Sequence, residues 1–213
     1  MATKVWIFDL DNTLHDATPY IFPHINRSMT AYVQRELGIS EEEANALRMH
    51  YWQRYGATLR GLMRHHGTRP AHFLWHTHQF PALPDMVLRE PRLRHMLRAL
   101  PGRKLLYSNA PRHYVREVLR LLRVDDMFED AFAIEHARFR PKPETAGFLR
   151  LLKKHHLHPA RCVMVEDSAE NLQTAKRLGM KTVLVGAGTG KPAYVDLKIR
   201  TVLELPRKLG RLT

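Results

Sequence analysis

The sequence predicts an α/β fold: a doubly wound, Rossmann-like parallel sheet with an inserted α-helical segment. Three observations carry this reading. Short apolar runs alternate with amphipathic helical segments through the second half of the chain, the pattern of strands covered on both faces by crossover helices. The stretch from Ile21 to His78, between the first two strands, reads as helical and is too long for a simple crossover. Acidic or polar residues follow three strands directly, where sites form in an open parallel sheet. The expected division is a core of residues 1–15 and 89–213, with a helical cap and its hinge linkers at 16–88.

Each element has its own signal. Val5-Trp6-Ile7-Phe8 is a buried strand ending in the turn-forming Asp9-Leu10-Asp11-Asn12-Thr13. Ile25, Met29, Tyr32, Val33 and Leu37 share a helical stripe that Gly38 stops. Ser40 and Glu43 have capping-box spacing, so a second helix starts there, with Ala44, Leu47, Tyr51 and Tyr55 on one face. Leu59, Leu62 and Met63 mark a third helix ending near Gly67, and Pro81-Ala82-Leu83-Pro84 reads as a connector. Lys104 to Ser108 is the next strand, followed by a helix bearing Tyr114, Val115, Val118, Leu119 and Leu122. Ala131 to Ile134 reads as a short strand, and Phe148, Leu149, Leu151 and Leu152 lie in a helix. Cys162 to Val165 is a strand, Ala169 to Gly179 a helix with a glycine stop, and Lys181 to Val185 a further strand.

Composition bounds the function. With 44% hydrophobic and 26% charged residues, the chain is globular rather than disordered. No window approaches the ~18 uncharged apolar residues of a membrane helix. The run from Met1 to Phe8 lacks the zones of a signal peptide. A single cysteine, Cys162, excludes an internal disulfide and a multi-cysteine zinc site. A soluble, cytoplasmic protein is expected. The net charge of +13 favours anionic partners such as phosphates or nucleic acid. Its basic residues are scattered, as in Arg112, Arg116, Arg120 and Arg123, which fits a solvated basic surface better than a dedicated binding tail.

The strand ends carry the chemistry. In a parallel sheet, Asp9 and Asp11, then Ser108 and Asn109, then Glu166 and Asp167 converge on one crevice, and Lys142 joins them from the stiff Arg140-Pro141-Lys142-Pro143 loop. Four crowded carboxylates repel one another, and a divalent cation resolves the conflict, with all-oxygen ligands pointing to Mg²⁺. Lys142 supplies fixed positive charge, and the Ser108 hydroxyl a hydrogen bond, for a phosphate. One carboxylate can attack phosphorus, and a second, two residues on, can protonate the leaving oxygen.

These residues resemble, in order, the four motifs of the haloacid dehalogenase-like (HAD) superfamily: Asp9-Leu10-Asp11-Asn12-Thr13, Ser108-Asn109, Lys142, and Glu166-Asp167 with Asn171. The resemblance spans Lys4 to Pro206. It implies that Asp9 is nucleophile and metal ligand, and that Asp11 is the acid/base with its carbonyl on the metal. It further implies that Thr13 steadies the loop and, with Ser108, Asn109 and Lys142, binds phosphate, and that Lys142 joins nucleophile to phosphate. Asp167 would hold Mg²⁺ directly, and Glu166 directly or through water. Dehalogenases of the superfamily lack a carboxylate at the position of Asp11, so its presence favours hydrolysis of a small phosphorylated substrate. The insert resembles the first cap class, and the motif runs are most similar to the pyrimidine 5′-nucleotidase-like group. His15, Tyr20, His24 and Asn26, early in the cap region, are either substrate contacts or hinge packing.

Other features read more plainly. Cys162 is a buried small hydrophobe, and His72, His76 and His78, like His155, His156 and His158, are solvated or packed rather than metal ligands. Gly186 to Lys191 imitates a phosphate loop but has Val185 for its first glycine and Pro192 after the lysine, so it is an irregular loop. Two rival readings remain: a sugar phosphomutase using the same residues, and a non-catalytic basic module binding nucleic acid, which lacks a stacking motif or basic reading helix.

Overall fold

The computed structural model describes residues 4–212. Met1 to Thr3, the first residues of the run expected to lack signal-peptide zones, and Thr213 lie outside the described residues. The chain divides into two compact units, Met1–Ala17 with Val87–Thr213, and Thr18–Met86.

The first unit is built on six parallel strands. These are β1 (Val5–Phe8), β2 (Arg103–Tyr107), β3 (Asp130–Phe132), β4 (Cys162–Glu166), β5 (Lys181–Val185) and β6 (Leu197–Ile199), in the order β3-β2-β1-β4-β5-β6. The chain moves outward from β1 first to one side and then to the other, the doubly wound topology predicted above. β1 is wholly buried because it is the centre of a sheet covered on both faces, which is why it shows no polar alternation. The Trp6 indole N–H donates to the Pro101 carbonyl at 2.8 Å, so even this buried polar tip has a partner.

Register levels the strand ends. Phe8 pairs with Leu106 on one side and with Val165 on the other. The next residues, Asp9, Tyr107 and Glu166, therefore end their strands side by side. The Asp9 N–H continues the ladder to the Val165 carbonyl at 2.9 Å.

The helices of this unit are α6 (Leu93–Ala99), α7 (Arg112–Leu122), α8 (Thr145–Lys154) and α9 (Ala169–Arg177). α7 buries Tyr114, Val115, Val118, Leu119 and Leu122 along one stripe, each worth about 1.5–3 kcal/mol of transfer free energy. Ser168 caps α9 by accepting from the Asn171 N–H at 3.4 Å. Cys162 opens β4 fully buried, and burial pushes its thiol up to about 11, so it is inert packing. The segment from Gly186 to Lys191 is irregular, with Lys198 Nζ donating to the Gly190 carbonyl at 2.5 Å.

The second unit comprises α1 (Ile21–Leu37), α2 (Glu41–Tyr55), α3 (Thr58–His66), α4 (Pro70–Thr77) and α5 (Leu83–Met86). α1 ends at Gly38 in the left-handed region at φ 65°. The Ser40–Glu43 capping box starts α2. α2 packs on α1 and α3, and α4 packs on α1. Leu83, placed in a connector by its flanking prolines, instead begins the single turn α5. Tyr–His pairs tie the helices: Tyr32 with His72 at 2.9 Å, Tyr51 with His66 at 2.8 Å and Tyr55 with His65 at 2.7 Å. No helix among the described residues is long and apolar enough to cross a membrane.

Candidate active site

The carboxyl ends of β1, β2 and β4 meet around one buried ammonium group. Lys142 is 4% exposed, and its three N–H bonds have three acceptors. Nζ donates to Asp9 Oδ1 at 2.6 Å, to Glu166 Oε2 at 2.6 Å and to the Tyr107 carbonyl at 2.9 Å. The side chain also lies over the Tyr107 ring, with Nζ 5.1 Å from its centre. A buried cation is stable only when paired and fully hydrogen-bonded, and here the two carboxylates hold its proton well above the usual lysine range against the effect of burial.

The loop that carries Lys142 is fastened from β2. Asn109 Oδ1 accepts from the Lys142 N–H at 2.7 Å and Asn109 Nδ2 donates to the Lys142 carbonyl at 3.1 Å. Its side chain, expected to touch phosphate, is thus engaged with the lysine main chain. On the other side of the loop, Thr174 Oγ1 donates to the Pro143 carbonyl at 2.8 Å. Ser108 is buried, and its Oγ accepts from the Ala110 N–H at 3.0 Å. That leaves the hydroxyl proton without an acceptor among the described residues.

The turn after β1 is equally determined. Asn12 adopts the left-handed conformation at φ 59°, and its side chain accepts from the Ala17 N–H at 2.9 Å, the local bonding that lets Asn hold such turns. Thr13 is buried, with Oγ1 3.4 Å from Asp9 Oδ2. Asp11 Oδ1 receives the Tyr114 hydroxyl at 2.6 Å and His15 Nε2 at 3.0 Å. Burial and the adjacent Asp11 charge drive the Tyr114 hydroxyl far above its ordinary range, so it remains a donor.

The acids are electrostatically crowded. Burial, reinforced by the charge of Glu166, raises Asp9 to about 7 in spite of Lys142. Burial raises Glu166 to about 7 as well, and raises Asp167. Glu166 has both oxygens engaged: Oε2 on Lys142, and Oε1 accepting from the Asp167 and Ser168 N–H groups, each at 3.2 Å. One oxygen from each of Asp9, Glu166 and Asp167 falls within a 4.8 Å span. This is the only such grouping of three or more among the described residues, so the histidine runs form no second one. The all-oxygen donor set and its surplus of negative charge over Lys142 fit a hard divalent cation.

Asp9, Asp11, Thr13, Ser108, Asn109, Lys142, Glu166 and Asp167 therefore gather in the first unit at the ends of β1, β2 and β4 and in the Lys142 loop. His15 also belongs to this unit. Of the other three residues weighed as substrate contacts, all in the helical unit, Tyr20 is half exposed. His24 Nε2 lies 2.7 Å from the Gln79 carbonyl, and Asn26 Oδ1 accepts from Arg48 at 3.0 Å. Sequence reasoning passed over Tyr114, which it took only as part of the α7 stripe. The available signal was a hydroxyl-tipped aromatic in the first turn of a helix that follows Ser108-Asn109.

Comparison with known proteins bears on the family and the fold. The chain is 25% identical over 198 residues to phosphate metabolism protein 8 of Saccharomyces cerevisiae, covering 86% of this chain and 61% of that protein. It is 30% identical over 107 residues to hexitol phosphatase B of Escherichia coli, covering 48% of each. The chain thus spans about 61% and 48% of these relatives' lengths. Its fold matches the crystal structure of a HAD phosphatase from Thermococcus onnurineus with a TM-score of 0.69 at 23% identity, over 97% of this chain and 98% of that one. A family model described as haloacid dehalogenase-like hydrolase matches residues 3–179, which take in β1 through α9 and every acid of the cluster. This protein belongs to the haloacid dehalogenase-like hydrolase family.

Proposed function

We propose that the chain hydrolyses small phosphate monoesters through an aspartyl-phosphate on Asp9, with Mg²⁺ as cofactor. The observation that carries this reading is the buried Lys142 ammonium, which joins the buried Asp9 and Glu166 at 2.6 Å each within the acidic cluster. Asp9 and Asp167 would hold the cation by their carboxylates, Asp11 by its carbonyl, and Glu166 from behind. When bound, Mg²⁺ supplies positive charge that offsets the repulsion between these acids and a phosphate.

The chain's own residues perform the remaining work. Lys142 and Thr13 fix the Asp9 carboxylate, which limits its rotation before attack. An Asp9 oxygen forms a bond to phosphorus as the ester oxygen leaves with its bonding electrons and takes a proton from Asp11. Asp11 then accepts a proton from the water that attacks phosphorus, and the acyl phosphate breaks down to inorganic phosphate and free Asp9. The Ser108 hydroxyl donates to a phosphate oxygen. Without a carboxylate at Asp11 there would be no group to protonate a leaving alkoxide.

The Thr18–Met86 helical unit is proposed as a cap of the first class, reading the leaving group and excluding water. The first substrate class we propose is a nucleoside 5′-monophosphate, a pyrimidine one by likeness of the motif runs. The match to the Escherichia coli hexitol phosphatase supports a phosphatase and leaves sugar phosphates as the next class to test. A screen of phosphate monoesters with Mg²⁺, set beside the Asp9→Asn variant, tests the reading. Phosphate release that Asp9→Asn abolishes is expected, and release at the parental rate by that variant would overturn it.

A further inference from the structure

The side chain of Asp11 is held at one oxygen only. Oδ1 accepts two hydrogen bonds, from the Tyr114 hydroxyl at 2.6 Å and from His15 Nε2 at 3.0 Å. Oδ2 has no hydrogen-bond partner among the described residues. Both donors are buried, Tyr114 at 1% exposure and His15 at 6%. They come from different elements of the fold. His15 lies in the same loop as Asp11 and forms an isolated parallel bridge with it, whereas Tyr114 stands in the first turn of α7, beyond β2.

The histidine has a defined orientation. Its Nδ1 is buried and has no hydrogen-bond partner. A proton there would be a buried, unsatisfied donor costing about 1–3 kcal/mol, so the ring proton sits on Nε2 and points at Asp11. Asp11 thus receives two directed hydrogen bonds on the same oxygen. An aspartate χ2 torsion is broad and roughly two-fold, so without such contacts the two oxygens exchange places readily.

We propose that Tyr114 and His15 are positioning residues that pin Oδ1 of Asp11 and so assign proton transfer to Oδ2. The inference rests on the reading of Asp11 as general acid and base. An acid that must first give a proton to the leaving oxygen and then take one from water gains from a single fixed oxygen, because both transfers need hydrogen-bond reach and alignment. Neither residue touches the reacting atoms.

Leaving groups separate this role from a merely structural one. p-Nitrophenolate departs without a proton, phenolate needs one more, and benzyl alkoxide needs one most. kcat/KM, measured with Mg²⁺ on p-nitrophenyl, phenyl and benzyl phosphate, reports the step in which the leaving group departs. For Tyr114→Phe we expect a loss below about 3-fold on p-nitrophenyl phosphate and about 10–100-fold on benzyl phosphate, part of the ~10²–10⁴-fold that a general acid supplies. His15→Leu should steepen the dependence in the same sense, and His15→Gln, which retains an N–H donor, should restore it. An equal loss on all three esters, or parental rates on all three, would overturn the proposal. Should Tyr114→Phe fail to fold by thermal unfolding, the His15→Leu and His15→Gln pair decides. Asp11→Asn keeps the two readings apart. If it loses benzyl phosphate hydrolysis while Tyr114→Phe shows a flat loss, only the positioning role falls; if it hydrolyses benzyl phosphate at the parental rate, the reading of Asp11 falls with it.

Discussion

Asn109 grips Lys142 by the main chain rather than the side chain, with its amide bonded to both the N–H and the carbonyl of the lysine at 2.7 and 3.1 Å. The residue at the end of β2 therefore sets where the ammonium group stands, 33 residues further along the chain. Asn109→Ala removes both bonds and should cost about 1–3 kcal/mol, two ordinary hydrogen bonds. Because a misplacement of about 1 Å at a catalytic group costs on the order of 10²-fold, kcat should fall by about 10–100-fold with KM little changed. A Asn109 side chain in direct contact with phosphate would instead raise KM, and steady-state kinetics distinguish the two.

The three acceptors around Lys142 Nζ diverge toward Asp9, Glu166 and the Tyr107 carbonyl. An ammonium suits them, since its three donors radiate from one atom. A guanidinium is planar and larger, with donors in a fixed fork. Lys142→Arg should therefore behave like Lys142→Met, with phosphate release reduced by at least about 10²-fold, the scale of losing one fixed electrostatic group. Recovery of a tenth or more of parental activity by Lys142→Arg would show that charge alone is sufficient there.

Tyr107 makes its own demand on α8. Its ring sits edge-on to Phe132 and Phe148, at 5.3 and 5.1 Å between centres. A Cβ built on Gly147 would stand 2.0 Å from the Tyr107 hydroxyl oxygen. That hydroxyl is buried without a hydrogen-bond partner. Gly147→Ala should destabilise the protein by about 1–3 kcal/mol through overpacking. Tyr107→Phe removes both the clashing atom and an unsatisfied polar group, so it should be near neutral alone and should recover much of the loss in the double variant. Chemical denaturation of the four proteins gives the coupling directly; additive losses would refute the clash.

The layout of strands and the gathering of the acids were legible because both follow from short-range pattern. Val5 to Phe8 and Cys162 to Val165 are apolar without interruption, and Asp9 and Glu166 follow them at once, so a parallel register alone brings them together. What escaped depended on contacts between distant residues. β6 is three residues, Leu197–Ile199, too short to show a period. α6 buries Leu93, Met96 and Leu97 amid arginine and histidine, a weak stripe in seven residues. Leu149, placed in a helix by its apolar neighbours, is 51% exposed on α8, because helix membership does not fix the face. Asn109 was assigned to phosphate, whereas its amide meets a backbone that only the fold brings near. The Tyr114–Asp11 bond spans 103 positions, and no local spacing announces it.

Crowding of the acids ties metal binding to pH. Asp9 and Glu166 stand at about 7 in the folded chain, against about 4 for ordinary carboxyls. Both are raised, so between about pH 4 and pH 7 the folded protein holds more protons than the unfolded one. Their contribution to metal-free stability is accordingly fully present below about pH 4 and declines as pH rises to about 7. A divalent cation needs these groups ionised, so it competes with their protons. The rise in Tm on adding Mg²⁺ should therefore be small at pH 5.5 and larger at pH 8, and chelation should reverse it. Asp167→Asn should remove most of the rise at either pH. An equal shift at both pH values would mean that the cluster is already ionised without metal, and an unchanged shift in Asp167→Asn would place the cation elsewhere.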